Sequence, residues 1–436
     1  MTAVTRTATW HAGEDDLSDA IARFTNVYAT VVVDQLRAVP DATLRSLAEA
    51  IAATVARDRS TIYVFGNGGS HAISRHLEHE LRSSFTDSCG VRVNCGIDYH
   101  SGQHGAVSAG FDAVFETVLR AERATPADLV IFISGSGDSD NLLSAAGHCR
   151  RLGIPTISLA GFDGGRITAR RLTDLPVVIP VHDQQMSEDV IQALLRVAVE
   201  CARRCHAGVA TGLAGHRDEY ATSLAASFER LQAHAPALDR LSRDVCRAFI
   251  GERSVFLLAP EGGPLSISAE HTAHNFNWDA VFEVRRPPSR RIHSTPTTCD
   301  YSGIGNDRLV PGIVSCQQLA AACPGDLLLL YAREPGAPAI RNTAMAAGAA
   351  GMTVYQLAGD RGGSPVPERD TICLGSADPG LLGDVGQATG HVLGRVIRLR
   401  LKQRLDGDAM AISEPVGYLV EGDLAQRRLI DVIRTL

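Results

Sequence analysis

The stretch IYVFGNGGSHAISRHLEHEL, residues 62–81, decides the reading of the fold. It opens as an apolar, strand-like run, breaks into glycine, asparagine and serine, and closes on a helical pattern studded with histidines and carboxylates. Such a turn leaves free N–H groups and the positive end of a helix dipole above the strand, where an anion or a sugar oxygen can be met. Working outward, residues 15–57 are helical by period. Apolar strand candidates then fall at 61–66, 128–134, 154–159 and 175–180, separated by helical patterns. Strand alternating with helix predicts an α/β fold with a parallel, doubly wound sheet between helical layers.

After a helical stretch at 216–250 the pattern recurs, with strands expected at 254–259, 326–331, 352–357 and 371–374. ADLVIFIS (127–134) stands beside GDLLLLYA (325–332), and RLGIPTISLAG (151–161) beside AAGMTVYQLAG (349–359). This predicts two three-layer αβα domains packed as a tandem pseudo-twofold pair. The first spans 1–210 with its N-terminal helices, the second 211–405, and 406–436 forms a C-terminal extension. The boundary is placed near GVATGLAG, 208–215.

Composition limits the functions. A chain of 436 residues with 45% hydrophobic content can bury two cores of roughly 200 residues each. The formal charge of −7 and the lack of like-charge blocks argue against a nucleic-acid or membrane partner. No apolar run reaches the roughly 18 residues of a membrane span. The opening MTAVTRTATWHAGEDD lacks the order of a secretory signal, so a soluble, cytoplasmic protein is expected. Ten cysteines without a C-x-x-C suggest neither disulfides nor a zinc knuckle, and Cys201 and Cys205 are expected simply to pack. Lys402 is the single lysine, which leaves Schiff-base chemistry one place at most.

Two loops carry the chemical signal. GNGGS (66–70) follows a strand and opens a helix; SGSGDSDN (134–141) does the same and sets the hydroxyls of Ser134, Ser136 and Ser139 around the next helix start. Hydroxyls and free N–H groups without a Walker lysine suit a phosphomonoester better than a nucleoside triphosphate. Open α/β sheets bind ligands at the carboxyl ends of their strands, where both loops lie. His76 and Glu80, four apart, share one helix face directed to that end. His71, just after the loop, is a candidate ligand contact, and His79 points elsewhere.

With these segments, and with GIPTISLAGFDGG (153–165), the chain resembles the sugar isomerase (SIS) domain family, most of all its phosphoheptose isomerase branch. The resemblance covers residues 15–205 well and 215–400 in weaker form. It implies that Ser134, Gly135, Ser136 and Ser139 grip a phosphate and that Asn67, Gly68 and Ser70 contact the sugar. It further implies that His76 and Glu80 belong to a zinc site, with Glu80 the proton-transfer base. Zinc or another divalent metal is the implied cofactor, with no organic cofactor, and the implied assembly is a homodimer of four SIS domains.

Departures from the family pattern matter as well. A later family helix supplies a glutamine and, eight residues on, a histidine. Here SEDVIQALLR puts Glu188 and Arg196 at those positions, and DVGQATGHVLGR puts Asp384 and Gln387, then Arg395, in the second half. Arginine does not ligate zinc, though it can clamp an anion. The second half has PEGGP and YAREPGAP in place of the two loops, so it should not hold a sugar phosphate in the usual way. It does keep Glu270 and His274 on one helix face, and IGNDRL (304–309), which resembles a substrate-contacting family segment, supplies Asn306 and Asp307. A composite site built from both halves is therefore expected, with Glu80, His76 and His274 catalytic. The strongest metal set is His76, Glu80 and Glu188, with His274 or Glu270 arriving from the second half. His271 with His274, His100 with His104, and His391 are weak metal signals, since none shows a third ligand.

The expected function is aldose–ketose isomerisation of a seven- or eight-carbon sugar phosphate resembling sedoheptulose 7-phosphate, through an enediol. The alternatives are a non-catalytic sugar-phosphate sensor or scaffold, and another phosphosugar reaction such as a lyase or an aminosugar isomerase.

Overall fold

A computed structural model describes residues 16–85, 91–96, 110–209, 212–277, 292–294, 311–359 and 362–405, with side chains of the last helix described to Leu401. The expected Asn306, Asp307, His100 and His104, and the extension 406–436, lie outside the described residues. In the first half the elements are α1 Ser18–Ala38, α2 Asp41–Val55, β1 Thr61–Phe65, α3 Gly69–Phe85, β2 Arg92–Asn94, α4 Val114–Ala121, β3 Leu129–Ser134, α5 Asp140–Leu152, β4 Thr156–Ala160, α6 Gly165–Ala169, β5 Leu175–Val178 and α7 Gln184–His206. In the second they are α8 Leu213–Ala233, α9 Ala235–Ile250, β6 Val255–Leu258, α10 Pro264–Asn275, β7 Ile292–His293, α11 Ile313–Gln318, β8 Leu327–Ala332, α12 Pro338–Ala349, β9 Thr353–Ala358, β10 Thr371–Cys373 and α13 Pro379–Leu405.

Two parallel five-stranded sheets result, ordered β2-β1-β3-β4-β5 and β10-β9-β8-β6-β7. Read from its other edge, the second sheet repeats the strand order of the first. The centres, LVIFIS in β3 and LLLLYA in β8, are buried along their whole length, the pattern of strands covered by helices on both faces. The expected helix over 15–57 is two helices. Val39 is extended (ψ 123°) because Pro40 disfavours the α conformation in the residue before it.

Each sheet has an outer face with its own core. Phe65, Phe115 and Phe132 lead the first, with Phe65 and Phe115 stacked at 4.7 Å, and Phe256, Leu328, Leu330 and Ile340 fill the second. The inner faces share one apolar core that runs through α1, α2, α3 and α7 into α9, α10 and α13. Within that shared layer α3 and α7 of the first half pack against α10 and α13 of the second. The polar residues of this seam carry the chemistry. Cys201, on α7, is buried, as expected of a packing residue. No helix among the described residues is long and apolar enough to cross a membrane.

Candidate functional site

In a sheet ordered 2-1-3-4-5, the strand order reverses between β1 and β3, and the crevice beyond their carboxyl ends is where such folds bind ligands. The two glycine- and serine-rich loops leave from those two strand ends. Gly66 has no room for a side chain, since a Cβ there would fall 2.5 Å from the Ser70 carbonyl oxygen. Gly68 sits at φ +53°, in the left-handed region that favours glycine. In the second loop the Gly137 N–H donates to Ser134 Oγ at 2.9 Å and the Asp138 N–H to Ser136 Oγ at 3.2 Å. Ser139 occupies the N-cap position of α5, with no side-chain capping bond. Asn67 and Asn141 exchange amide hydrogen bonds of 3.0 and 2.9 Å, so Asn67 ties the loops together.

The second half fills the corresponding place from within. Glu261, in its first loop, accepts the N–H groups of Arg333 (2.7 Å) and Glu334 (3.2 Å) just beyond β8. By chain order these match Gly135 and Ser136 of the first half, so a built-in carboxylate occupies the anion position that the first half leaves to its loop.

From the loops the site continues into the seam. Gly135 lies against Gln184, whose amide donates to Glu188 Oε1 at 3.3 Å, and Ser70 Oγ lies 3.5 Å from the same oxygen. A Cβ on Gly69 would fall 2.5 Å from Glu188 Oε2 and 2.8 Å from His271 Nε2, so only a residue without a side chain lets these two groups come this close to the start of α3. Exposed His274 reaches over the first loop, its Nε2 3.4 Å from where a Cβ of Gly68 would stand. His271 and His391 both bring Nε2 near Glu188 Oε2, at 3.8 and 3.7 Å. Among the described residues, Glu188, His271 and His391 are the group whose ligand atoms gather as a metal would require, all within 4.8 Å of one another.

The surroundings fix both rings. The Gln387 amide donates to Asp189 Oδ1 (2.9 Å), which turns its carbonyl oxygen to His271 Nδ1 at 2.7 Å. A carbonyl only accepts, so Nδ1 carries the hydrogen and Nε2 of His271 is a bare lone pair. His391 Nδ1 faces Asp189 Oδ2 at 3.1 Å, an oxygen that also accepts from the Tyr28 hydroxyl. Neither Nε2 has a hydrogen-bond partner, and both histidines are buried. Burial and the neighbouring His391 hold the His271 pKa well below its ordinary value. Burial works against charge on His391 too, but the carboxylates of Asp189 and Glu188 outweigh it and raise its pKa.

Two turns along α7 the seam has another character. Arg196 donates to Glu80 at 2.6 Å and to Asp384 at 3.2 Å, while Gln192 (2.7 Å) and the Tyr220 hydroxyl also bond Asp384. Gly380 makes room for this, since a Cβ there would lie 1.5 Å from the guanidinium. Burial opposes the charge on Arg196, yet Asp384 and Glu80 outweigh it and raise its pKa further. His76 is buried beside the cluster with neither ring nitrogen hydrogen-bonded, and burial followed by the nearby Arg196 pushes its pKa down to about 3. The space among His76, Glu80, Gln192, Arg196 and Asp384 is about 10 Å³, roughly one water. Arg395, the counterpart of Arg196, is likewise taken, by Asp183 (2.6 and 2.7 Å) and Gln185 (2.6 Å).

The expected metal set of His76, Glu80 and Glu188 is therefore not gathered: Arg196 claims Glu80, and Glu188 turns to His271 and His391. Glu270 is exposed. Gln387 orients His271, and Asp384 holds Arg196. Sequence reading noted His271 and His391 but gave them no third ligand, and it passed over Gln192, Asp189, Tyr28, Tyr220 and Glu261. One signal was available, the i, i+4, i+8 face of Glu188, Gln192 and Arg196 on α7.

Comparison with known proteins points the same way. The SIS domain family matches residues 26–161. A phosphoheptose isomerase of Chlorobaculum parvum is 38% identical over 141 residues, 31% of this chain and 66% of that protein. One of Trichlorobacter lovleyi is 30% identical over 164 residues, 35% of this chain and 76% of that protein. In structure, a candidate sugar-binding protein of Salmonella typhimurium LT2 superposes with a TM-score of 0.56 at 14% identity, covering 86% of this chain and 98% of that one, which shows a shared fold.

Proposed function

The chain belongs to the SIS family, and on that premise we propose that it is a phosphosugar isomerase, interconverting the ketose and aldose forms of a seven- or eight-carbon sugar phosphate. One observation carries the reading. Two glycine- and serine-rich loops stand at the switch point of the first sheet and adjoin the Glu188 carboxylate and imidazoles from the other half. The phosphate sits on residues 134–139, held by backbone N–H groups and the hydroxyls of Ser134, Ser136 and Ser139. The sugar chain runs over Gly68 and Ser70 toward the seam.

The chemistry moves one proton from C1 of the ketose to C2 and a second from the C1 hydroxyl to the C2 oxygen, so that the carbonyl passes from C2 to C1, through an enediolate whose oxygens need stabilising. We assign the transfer to His274, which is exposed above the first loop and carries an imidazole, a group able to take and return a proton. Glu80, the base that the family resemblance implies, is held by Arg196 beside a space that admits one water. That same ion pair favours a second reading, a sugar-phosphate-binding regulator without turnover. The assembly we propose is a homodimer in the cytoplasm.

The test is sedoheptulose 7-phosphate in D₂O followed by NMR, with wild type, His274→Gln and Glu80→Gln. Deuterium entering the sugar with an aldose appearing, lost in His274→Gln and retained in Glu80→Gln, is the expected result. Loss in Glu80→Gln alone returns the role to Glu80. Binding without exchange in the wild type establishes the regulator.

A further inference from the structure

We propose that the seam between the two halves holds one divalent transition metal of the zinc class, bound by Nε2 of His271, Nε2 of His391 and the carboxylate of Glu188. The first argument is the convergence of acceptors. The buried Nε2 atoms of two imidazoles and a buried carboxylate gather at one point, and neither Nε2 has a hydrogen-bond partner there. The His271 tautomer leaves no choice on this, because its Nδ1 hydrogen is committed to Gln387, which Asp189 in turn orients. A carboxylate and a bare imidazole nitrogen held together away from water call for positive charge between them, and a divalent metal supplies it to all three groups at once.

The second argument is geometry. Ligands about 2.0–2.2 Å from one ion stand roughly 3.3–3.6 Å apart in tetrahedral to trigonal arrangements. The nitrogen-to-oxygen separations of 3.7 and 3.8 Å need to close by only a few tenths of an ångström. The third is the outer shell. Each ring is fixed through its other nitrogen, His271 by Gln387 and His391 by Asp189, the arrangement that sets ring orientation and basicity in metal sites. Two imidazoles and a carboxylate with a position left over is the composition of a catalytic rather than a closed structural zinc site. The ligand atoms lie against Gly69, beside Ser70 at the end of the first loop.

This ligand set differs from the one the family resemblance implies. Its two histidines come from α10 and α13 of the second half and its carboxylate from α7 of the first, so each half holds only part of it. The inference concerns binding and is read without substrate, so it stands or falls separately from the isomerase reading.

The experiment uses the full chain, stripped with EDTA and titrated with Zn²⁺ and with Co²⁺. Metal content is followed by mass spectrometry and Co²⁺ coordination by its visible ligand-field absorption. One metal per chain is expected, with an intense Co²⁺ band that shifts in position in His271→Asn and His391→Asn and affinity reduced at least tenfold in each. Gln387→Leu, which touches the metal only through His271, should weaken binding about 10- to 100-fold. His76→Leu and Glu80→Gln should bind as wild type does. Should a histidine variant fail to fold, Glu188→Gln gives the same reading through the third ligand. Wild type that binds no stoichiometric metal overturns the site, as does metal lost in His76→Leu and Glu80→Gln but kept in the His271 and His391 variants.

Discussion

Arg196 decides what Glu80 can do. The sequence shows an arginine where the family has a histidine, but nothing in the local pattern says that it reaches back across the helix layer to Glu80 and Asp384. That pairing depends on Gly380 having no side chain, a fact of the fold. Removing one partner of a buried ion pair leaves uncompensated charge, at a cost of about 3–5 kcal/mol. Arg196→Leu should lose stability of that order in urea unfolding, whereas Glu80→Gln, which keeps a hydrogen-bond acceptor, should lose clearly less. Beside it, His76 gives a pH signature. Its folded pKa is pushed down to about 3 from an ordinary 6.5, so between those values the unfolded chain takes a proton that the folded one refuses. Stability from this group is present above about 6.5 and falls as pH drops toward 3, by about 1.4 kcal/mol per unit. His76→Leu should flatten that slope when unfolding free energies are compared at pH 7 and pH 5; an unchanged slope would place the titration elsewhere.

At the scale of elements, eight of the ten strands among the described residues lie within a residue or two of their expected positions. The reason is physical: strands buried on both faces must be continuously apolar, and LVIFIS and LLLLYA cannot be read otherwise. The two strands missed, Arg92–Asn94 and Ile292–His293, are edge strands of three and two residues, too short to show a period. The loops were legible because glycine and serine at strand ends have a mechanism, but the meeting of α3, α7 and α10 was not. Gly69 is where those three helices come together, and its missing side chain is what lets Glu188 and His271 approach the start of α3. Gly69→Ala should fold, since alanine is favoured in a helix and the crowded atoms are ends of side chains. Its melting temperature should fall by no more than several degrees, the cost of shifting the buried, hydrogen-bonded Glu188 carboxylate and His271 ring. The added methyl should nevertheless abolish Co²⁺ absorption and weaken sugar-phosphate binding. Full binding in this variant would mean that the ligand does not enter beside α3.

At the scale of the molecule, the two halves carry the same strand order and different side chains at matching places. The first keeps the glycine- and serine-rich loops, while the second sets Glu261 in the matching place and brings His271 and His391 to Glu188. The sequence displayed the loss of the second pair of loops and hinted at a shared site. It could not display the seam, because His271 and His391 lie 120 residues apart and meet Glu188 only once two sheets have been laid together. The seam is also the inner core of both halves, so neither can bury its α3–α7 or α10–α13 face alone. Residues 1–210 and 211–436, expressed separately, should then fail as monomers and appear in sedimentation as self-associated or aggregated species, each without a Co²⁺ band. Refolded together they should form a one-to-one complex in which the band returns, since only then are two imidazoles and the Glu188 carboxylate within reach of one ion. A monomeric first half that binds Co²⁺ by itself would show that its own His76 and Glu80 suffice, and that the second half serves as scaffold.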